Sequence, residues 1–386
     1  MLGKEPDWDS LDPYQRTMTR EEFVESLETI YLPYGFDEEL IQVFPGYAQV
    51  RKDSHRPDDM YRVDFLAWRD LVEESTLEQR PDSSPLDGLV IAIDPGHIGG
   101  DFSEMEGRHF QMGSDAPVKE GDLTLAVAKK LESRLKSMGV NPLLLRQENE
   151  PVTDSRPEDF YHEAVAIEQQ FWMEKNGFSS QVTPWETEWF KQRVQERMEM
   201  LFYRVSEIQA RADLINDKIR PDLTLAVHFN VSPWKESTRQ VHPEDNHVHV
   251  LVNGTYMAAE LALDDVRFQL FKKLLTRNHE QEIPLSDAIA ASLLKKTGLP
   301  AFSYGGKNAS KQGHNPAVWA RNLLANRLYD GPVVFLEAYC TNSRVAYDRV
   351  QLDDYKGVRD IGGEMRMSLT SEYAEGILEG LIDYYR

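Results

Sequence analysis

Three short apolar runs in the sequence lead into a residue that can bind a metal ion or transfer a proton. These residues are His97, His228 and Glu337. Continuous apolar runs of this kind are typical of strands that are buried on both faces of a sheet. A fourth such residue, Glu120, stands just before a predicted helix. Because sites in α/β sheets form at the carboxyl ends of the strands, we expect these side chains to lie close together.

This set of residue types suits hydrolytic metal chemistry. Two histidines and one carboxylate can hold a catalytic zinc ion that keeps a fourth position open for water. A further carboxylate can then act as the general base on that water. The two roles need different carboxylates, because a ligating carboxylate has its lone pairs occupied. The residues are far apart in the chain, so their spacing leaves open which carboxylate has which role.

The composition restricts the kind of metal site and the kind of partner. Cys340 is the single cysteine, which excludes an internal disulfide and a zinc site with several cysteines. The 386 residues include 43 Lys and Arg against 65 Asp and Glu, a net charge of −22. This charge argues against binding nucleic acid or anionic lipid through the overall field, although it is compatible with a local cation. Apolar residues make up 41% of the chain, enough for a sizeable core.

The sequence pattern shows neither a membrane span nor a targeting segment. No run of roughly 18 or more apolar residues predicts a span. The N-terminal residues MLGKEPDWDS are acidic and polar, without the apolar stretch of a signal peptide. Two alternatives follow: either the protein is cytoplasmic, or a signal peptide has been removed.

Strands and helices alternate along most of the chain. The predicted strands cover residues 89–93, 140–145, 223–227, 249–252 and 333–336. The predicted helices cover residues 19–30, 122–138, 286–297, 318–328 and 371–385, with one or two more between residues 158 and 218. This alternation predicts an α/β fold, in which a mostly parallel twisted sheet carries helices on both faces.

Five motifs occur in one order between residues 88 and 386. They are Asp94-Pro-Gly-His97, Glu120-x-Asp122-Leu-Thr-Leu-Ala, Arg211-Ala-Asp-Leu-Ile-Asn216, Ala226-Val-His228-Phe-Asn230 and Phe335-Leu-Glu337. In this order they resemble the motifs of the zinc-dependent N-acetylmuramoyl-L-alanine amidases, the cell-wall amidases of cell separation, sporulation and phage lysis. The fold of that family is an α/β sheet with helices on both sides, in agreement with the predicted elements.

The resemblance implies a role for each of the four residues. It implies Zn²⁺ as the cofactor, with His97, Glu120 and His228 as metal ligands and Glu337 as the catalytic residue. Asp94 or another acceptor would orient a ligand imidazole. The implied reaction is hydrolysis of the amide bond between N-acetylmuramic acid and L-alanine, with peptidoglycan or muropeptides as the substrate. Such a substrate implies a location in the cell envelope, periplasmic or secreted.

The chain departs from the family pattern at several places. Ile98 stands between His97 and the Gly-Gly pair that usually follows the first histidine directly. The segment 101–119 is longer than usual, and residues 158–204, which are charged and aromatic, are interpreted as a helical insertion. The changes next to His97 bear on the substrate cleft more than on the metal site.

The departures also suggest a division of the chain. Residues 1–85 form an N-terminal extension of unknown role, and residues 86–386 form the zinc amidase domain, including the insertion at 158–204. The segment 78–87, with the sequence EQRPDSSPLD, has the composition of a linker between them.

Three alternatives to a freely active amidase stay open. The protein could be a zinc peptidase or amide hydrolase that acts on another substrate. It could be a non-catalytic regulator that keeps the amidase fold to bind muropeptide, although such proteins usually lose a ligand or the base. The third alternative is an amidase that is autoinhibited by the insertion or by the N-terminal segment.

Other polar residues have simpler interpretations. His247 and His249 alternate along a predicted strand and so face one side of it. We expect them to be satisfied or substrate-facing rather than part of a second metal site. Cys340 is expected to be a small buried filler. A structural alternative for Glu337 is an ion pair with a nearby arginine such as Arg344.

Overall fold

The computed structural model describes residues 5–67, 85–176, 185, 187–236 and 240–386. Residues 78–84 of the predicted linker lie outside this part of the chain. Within the described residues, no helix combines the length and the apolarity needed to cross a membrane.

The bounds of the elements are as follows. The strands are β1 (Ile41–Val43), β2 (Tyr47–Asp53), β3 (Arg56–Asp64), β4 (Val90–Pro95), β5 (His109–Phe110), β6 (Val118–Lys119), β7 (Asn141–Leu144), β8 (Leu223–Asn230), β9 (Val248–Val252), β10 (Ser310–Lys311), β11 (Val318–Ala320), β12 (Val333–Cys340), β13 (Arg359–Ile361) and β14 (Glu364–Arg366). The helices are α1 (Arg20–Ser26), α2 (Glu120–Lys136), α3 (Tyr161–Asn176), α4 (Glu188–Met200), α5 (Glu207–Asp213), α6 (Ala258–Leu261), α7 (Asp264–Leu275), α8 (His279–Thr297), α9 (Leu324–Leu328), α10 (Arg344–Val350) and α11 (Leu369–Tyr385). Wider helical turns follow α1, α4 and α5 at Leu27–Tyr31, Leu201–Ser206 and Leu214–Ile219.

Seven strands form the central sheet, in the order β10-β11-β9-β12-β8-β4-β7. Strands β12, β8, β4 and β7 are parallel. Strand β9 pairs antiparallel with β12, and β11 lies parallel to β9. The predicted α/β fold with a mostly parallel sheet is therefore confirmed. A separate sheet of β1, β2 and β3 forms in the N-terminal residues.

Both faces of the central sheet are buried. Along β8, Leu225 and Val227 belong to one apolar cluster with α2, α8 and α11, whereas Ala226 belongs to another with α5 and α9. Because successive side chains of a strand point to opposite faces, His228 lies on the same face as Ala226. Glu337 pairs in register with His228 and shares that face. The two residues therefore lie on the side of the sheet that α5 covers.

Helix α2 follows the predicted apolar periodicity. Val127, Leu131 and Leu135 are fully buried. Gly139 follows the helix with φ 82°, a left-handed conformation that glycine adopts at little cost. The helix begins at Glu120, earlier than predicted, so that the first helical residue is itself a candidate metal ligand.

Residues 158–218 contain two long helical segments, in agreement with the prediction. Helix α3 packs against α4, where Phe190 and Val194 are buried. Helix α4 continues without a break through α5 to Ile219. The segment interpreted as an insertion and the motif that begins at Arg211 therefore belong to one helical path, which brings the end of that segment close to the face of the sheet that carries His228.

The helix predicted over residues 318–328 is wrong in its first part. Val318–Ala320 is strand β11, in which Val318 pairs with Val250 of β9, and only Leu324–Leu328 is helical. The apolar run of β11 is too short to show a periodicity of its own. Pairing with the neighbouring strand β9 determines that this segment is a strand.

Residues 5–67 pack directly on α7. Thr19 and Glu22 form the predicted capping box at the start of α1. The ring of Phe23 in α1 stacks on Phe271 of α7, and both residues are buried in one apolar cluster. The N-terminal residues thus share a core with the sheet domain.

Candidate metal centre

His97, Glu120 and His228 converge beyond the carboxyl ends of β4 and β8. Nε2 of His97 lies 3.3 Å and Nδ1 of His228 lies 3.4 Å from the same oxygen, Oε1 of Glu120. Ligand atoms of the three residues all lie within 4.8 Å of one another. Two donors bound tetrahedrally to one Zn²⁺ at about 2.1 Å are about 3.4 Å apart, so the observed spacing suits this ion.

The turn after β4 carries His97 into the site. A Cβ at Gly96 would lie only 2.2 Å from the ring of His228, so glycine is needed there. His97 itself has φ 60°, in the left-handed region that residues other than glycine rarely adopt. Such a conformation persists only where neighbouring groups hold it.

Arg211 on α5 holds this turn from the buried side. Its Nη1 donates to Oδ1 of Asp94 at 2.6 Å, and its Nη2 donates to the carbonyl of His97 at 3.0 Å. Tyr329 donates its hydroxyl to the other oxygen of Asp94 at 2.6 Å. Burial alone would raise the pKa of Asp94, but the charge of Arg211 and the hydrogen bond from Tyr329 together help to lower that pKa. Asp94 therefore supports the turn through Arg211 and Tyr329 rather than through a ligand imidazole in the described residues.

Glu106 is the carboxylate that lies beside the imidazole of His97. Its Oε1 lies 3.4 Å from Nδ1 of His97, and the same oxygen accepts the backbone N–H of Ile98 at 2.9 Å. Burial alone would lower the pKa of His97, but the carboxylates of Glu120 and Glu106 outweigh it and raise the pKa to about 9. Sequence reasoning missed Glu106. The only available signal was that it lies in the segment 101–119, which is longer than in the family.

Glu120 is the buried carboxylate at the centre of the site. Its Oε1 accepts the backbone N–H of Phe229 at 3.1 Å. Burial alone would raise the pKa of Glu120, but the charges of His97 and His228 lower it below its usual range. Arg108, which sequence reasoning also missed, places Nε 3.4 Å from Oε2 of Glu120 and 3.2 Å from Nε2 of His97. Glu120 thus stays ionised and provides a negative charge that attracts a cation.

Glu337 lies on β12 directly beside His228 of β8. Its side chain is 20% exposed and forms a hydrogen bond with Nε2 of His249, its partner on β9. Burial alone would raise the pKa of Glu337, but the hydrogen bond with His249 and the neighbouring His228 lower it. Arg344 bonds Asp348 at 2.9 Å instead, so the arginine pairing that the sequence left open is not formed in the described chain.

A cavity of about 490 Å³ adjoins the metal-binding residues. Its lining includes His97, His228 and Phe335, whose ring stacks on that of His228 with the centroids 4.2 Å apart. The insertion contributes Tyr203 and Arg204 to the same cavity. Further lining residues are Arg108, Ile208, Leu323 and Arg327. The end of the segment interpreted as an insertion is therefore part of the cleft beside the candidate metal ligands.

Asp245, His247 and Cys340 form a second group of residue types that bind metals. Asp245 lies 2.9 Å from Nδ1 of His247, and the amide nitrogen of Asn230 lies 3.1 Å from Nε2. Both ring nitrogens of His247 are therefore engaged. Burial raises the pKa of the Cys340 thiol to about 11, which opposes its ionisation to a ligand or nucleophile.

The fold and this site define a class, that of α/β proteins with two histidines and one glutamate that could hold a metal ion at the strand ends. The sequence profile of the family described as N-acetylmuramoyl-L-alanine amidase (Amidase_3) matches residues 91–357. The chain belongs to this family and is an enzyme of the peptidoglycan amidase type. The family that the motifs indicated is therefore confirmed.

Solved amidase structures are similar to the chain at low sequence identity. The N-acetylmuramyl-L-alanine amidase of Mycobacterium smegmatis is 14% identical with a TM-score of 0.41, over 78% of this chain and 98% of that chain. The N-acetylmuramoyl-L-alanine amidase of Nostoc punctiforme is 14% identical with a TM-score of 0.40, over 77% and 98%. An amidase of Clostridioides difficile, solved in complex with a lipoprotein, is 13% identical with a TM-score of 0.40, over 77% and 98%. A comparison with curated proteins gives no match.

Proposed function

We propose that this protein is a zinc-dependent hydrolase of the amide bond between N-acetylmuramic acid and L-alanine in peptidoglycan or muropeptides. The convergence of His97, Glu120 and His228 carries this proposal, because it provides the three donors of a hydrolytic zinc site. Membership of the amidase family supports the choice of bond. The substrate implies action in the cell envelope, in the periplasm or after secretion.

The residues around the three donors hold them in positions that suit a metal ion. Zn²⁺ bound there would supply a water of lowered pKa and would polarise the amide carbonyl. Glu106 contacts Nδ1 of His97 and leaves Nε2 for the metal. Phe335 restrains the ring of His228 by stacking on it. Arg211 holds the strained backbone of His97 and thereby fixes the first ligand.

Glu337 acts as the general base in this proposal. Its lowered pKa keeps the carboxylate ionised at neutral pH, so that it can take a proton from the attacking water. It then returns that proton to the amine of the departing L-alanine. The in-register pairing of Glu337 with His228 supports this role, since it brings the base to the same sheet edge as the ligands.

The cationic side chains of the cleft suit the peptide part of the substrate. Arg204 and Arg327 both line the cavity. Within the part of the chain that the structure describes, Arg204 forms no ion pair, so its guanidinium is available to a substrate carboxylate. Arg327 is fixed by Gln269 at 2.6 Å and by Asn322 at 2.7 Å. We therefore assign the end of the insertion to substrate binding.

Autoinhibition by the same helices is the alternative role of the insertion. It predicts that shortening the insertion raises the rate of peptide release. A substrate-binding role predicts the opposite, a higher KM after the same change. Steady-state kinetics of a shortened variant with a soluble muropeptide distinguish the two.

Metal removal and restoration test the proposed function. Chelation should abolish the release of peptides from purified peptidoglycan, and one equivalent of Zn²⁺ should restore it. His228→Ala should bind no zinc and stay inactive, whereas His242→Ala, a matched change outside the site, should behave like the wild type. Peptide release that survives chelation, or full zinc occupancy in His228→Ala, would contradict the assignment. Synthetic peptides without the sugar, tested alongside, separate an amidase from a zinc peptidase.

A further inference from the structure

His249 on β9 lies beside Glu337 on the neighbouring strand β12. The two residues are direct partners in the antiparallel pairing of β9 with β12. The side chain of His249 is only 2% exposed, and its Nε2 hydrogen-bonds Oε2 of Glu337. None of the five sequence motifs includes His249. The five motifs therefore do not assign a role to this contact with the proposed base.

The surroundings of His249 indicate which ring nitrogen carries the proton. The hydroxyl of Tyr304 lies 3.3 Å from Nδ1 of His249. Because ionised Glu337 can only accept, Nε2 of His249 carries a hydrogen, and in the neutral ring Nδ1 is then left to accept from the hydroxyl, to which Nη1 of Arg321 donates at 3.5 Å. Burial, with the charge of Glu337, raises the pKa of Tyr304 to about 12, which keeps its proton in place. Nδ1 therefore accepts a hydrogen bond, and Nε2 carries the hydrogen that is directed at Glu337.

Aromatic contacts restrain the imidazole ring. The ring of Tyr304 lies nearly parallel to that of His249, with an angle of 8° and a centroid distance of 5.7 Å. The ring of Phe302 meets it edge-on at 88° and 5.2 Å. Glu337, by contrast, has three rotatable side-chain bonds and many accessible rotamers. A restrained donor at one oxygen selects a single orientation of this carboxylate.

We propose that His249 is the positioning residue of the general base, holding one oxygen of Glu337 through its Nε2–H and leaving the other oxygen to exchange the proton. This inference rests on the proposed function, in which Glu337 is the base. A base held in one orientation needs no reorientation when the substrate is bound, which favours the chemical step rather than substrate binding. Tyr304 supports the arrangement by fixing the tautomer of His249.

Steady-state kinetics of the zinc-loaded, full-length protein on a soluble muropeptide test the proposal. His249→Phe keeps a ring but removes the donor. We expect kcat to fall roughly 10- to 100-fold, the usual effect of losing a hydrogen bond to a charged group, with KM and zinc content unchanged. His249→Gln offers an amide N–H from a similar position and should restore kcat to within about threefold of the wild type. Tyr304→Phe removes only the hydroxyl and should lower kcat less than His249→Phe does.

Nuclear magnetic resonance of protein labelled with nitrogen-15 histidine gives a readout that does not depend on turnover. The proposal predicts that His249 carries its proton on Nε2 and that Glu337→Gln shifts this resonance. The signal is assigned by its loss in His249→Gln. A His249 ring that is protonated only on Nδ1 would overturn the proposal.

His247→Gln is the matched control, because it makes the same substitution at a buried histidine that contacts Asp245 and Asn230 rather than Glu337. It should leave kcat unchanged. A wild-type kcat in His249→Phe, or a kcat in His249→Gln as low as in His249→Phe, overturns the proposal. Should thermal melting show that His249→Phe does not fold, Tyr304→Phe and the resonance of His249 decide the question. Failure of the proposed function looks different, since the wild-type protein would then release no peptide or Glu337→Gln would stay active.

Discussion

Nε of Arg108 lies 3.2 Å from Nε2 of His97, the nitrogen that also lies 3.3 Å from Glu120. This nitrogen is the one that faces the proposed metal position. Arg108 also lies 3.4 Å from Oε2 of Glu120, so the guanidinium and a metal ion compete for the negative charge of Glu120. The Arg108 side chain is 39% exposed, so it has room to turn toward solvent when a metal binds.

Removal of Arg108 should therefore strengthen metal binding. We expect Arg108→Ala to bind Zn²⁺ roughly 3- to 30-fold more tightly, because the metal no longer competes with a positive charge beside Glu120. Competition with a chromophoric chelator measures the affinity. Lys129→Ala removes an exposed positive charge from α2 and serves as the control. Equal or weaker zinc binding by Arg108→Ala would show that the guanidinium does not compete with the metal.

Zinc binding should release a proton at neutral pH. The pKa of His97 in the metal-free chain is about 9, above the usual value of about 6.5. Protonated His97 therefore stabilises the metal-free fold fully below about pH 6.5, and this contribution is lost as the pH rises through about 9. Because the metal needs the neutral ring, zinc affinity should rise with pH up to about 9. Isothermal titration calorimetry in buffers of different ionisation enthalpy counts the protons. An affinity that does not change between about pH 7 and 9 would contradict the assignment of His97 as a ligand.

Glu337→Gln should separate metal binding from turnover. The amide keeps the size of the side chain but cannot take a proton. We expect kcat to fall about 10²- to 10⁴-fold while one zinc ion per chain is retained, as judged by mass spectrometry of the metal. Glu364→Gln makes the same change at an exposed residue of β14 and should keep the wild-type kcat. Turnover of Glu337→Gln close to that of the wild type would remove Glu337 from the mechanism.

The ion pairs of Arg211 should be important for stability. Arg211 is buried and bonds Asp94 at 2.6 Å and Glu207 at 2.8 Å, so its loss leaves two buried carboxylates without their cation. We expect Arg211→Met to lower the free energy of unfolding by about 3–5 kcal/mol. It should also weaken zinc binding, because the backbone of His97 loses its support. Arg134→Met removes a surface pair with Glu375 and should cost less than about 1 kcal/mol. Urea unfolding of both variants provides the comparison, and similar losses would argue against a special role of Arg211.

Arg204 should affect substrate affinity rather than chemistry. If its guanidinium binds a carboxylate of the peptide, Arg204→Gln should raise KM about 5- to 50-fold with little change in kcat. Lys218→Gln makes the same change of charge at an exposed residue further along the same helical path. With a muropeptide whose carboxylates are amidated, Arg204→Gln and the wild type should have the same KM. An unchanged KM would exclude Arg204 from substrate binding.

The positions of the proposed ligand His228 and the proposed base Glu337 could be predicted because local patterns specify them. The apolar run of β8 leads directly into His228, and that of β12 leads directly into Glu337. A parallel arrangement of these strands suffices to bring their ends to one edge of the sheet. The assignment of roles to His97 and Glu120 depended on the family resemblance, since spacing alone did not distinguish a ligand from a helix-terminal acid.

The remaining contacts depend on tertiary relationships that no local pattern contains. The hydrogen bond between His249 and Glu337 requires the antiparallel register of β9 with β12. Glu106 and Arg108 reach His97 from the long segment after β4, whose path has no periodic pattern. Asp94 was expected beside an imidazole, but the buried cation Arg211 binds it instead.

Digestion of peptidoglycan in oxygen-18 water, followed by mass spectrometry of the products, tests the central claim most directly. Hydrolysis of the proposed amide bond places one heavy oxygen in the lactyl carboxylate of N-acetylmuramic acid and leaves the released peptide with a free, unlabelled L-alanine amine. We predict this labelling pattern for the zinc-loaded protein and its absence in Glu337→Gln. Heavy oxygen in a peptide carboxylate, or at a sugar carbon, would show that a different bond is cleaved and would contradict the account.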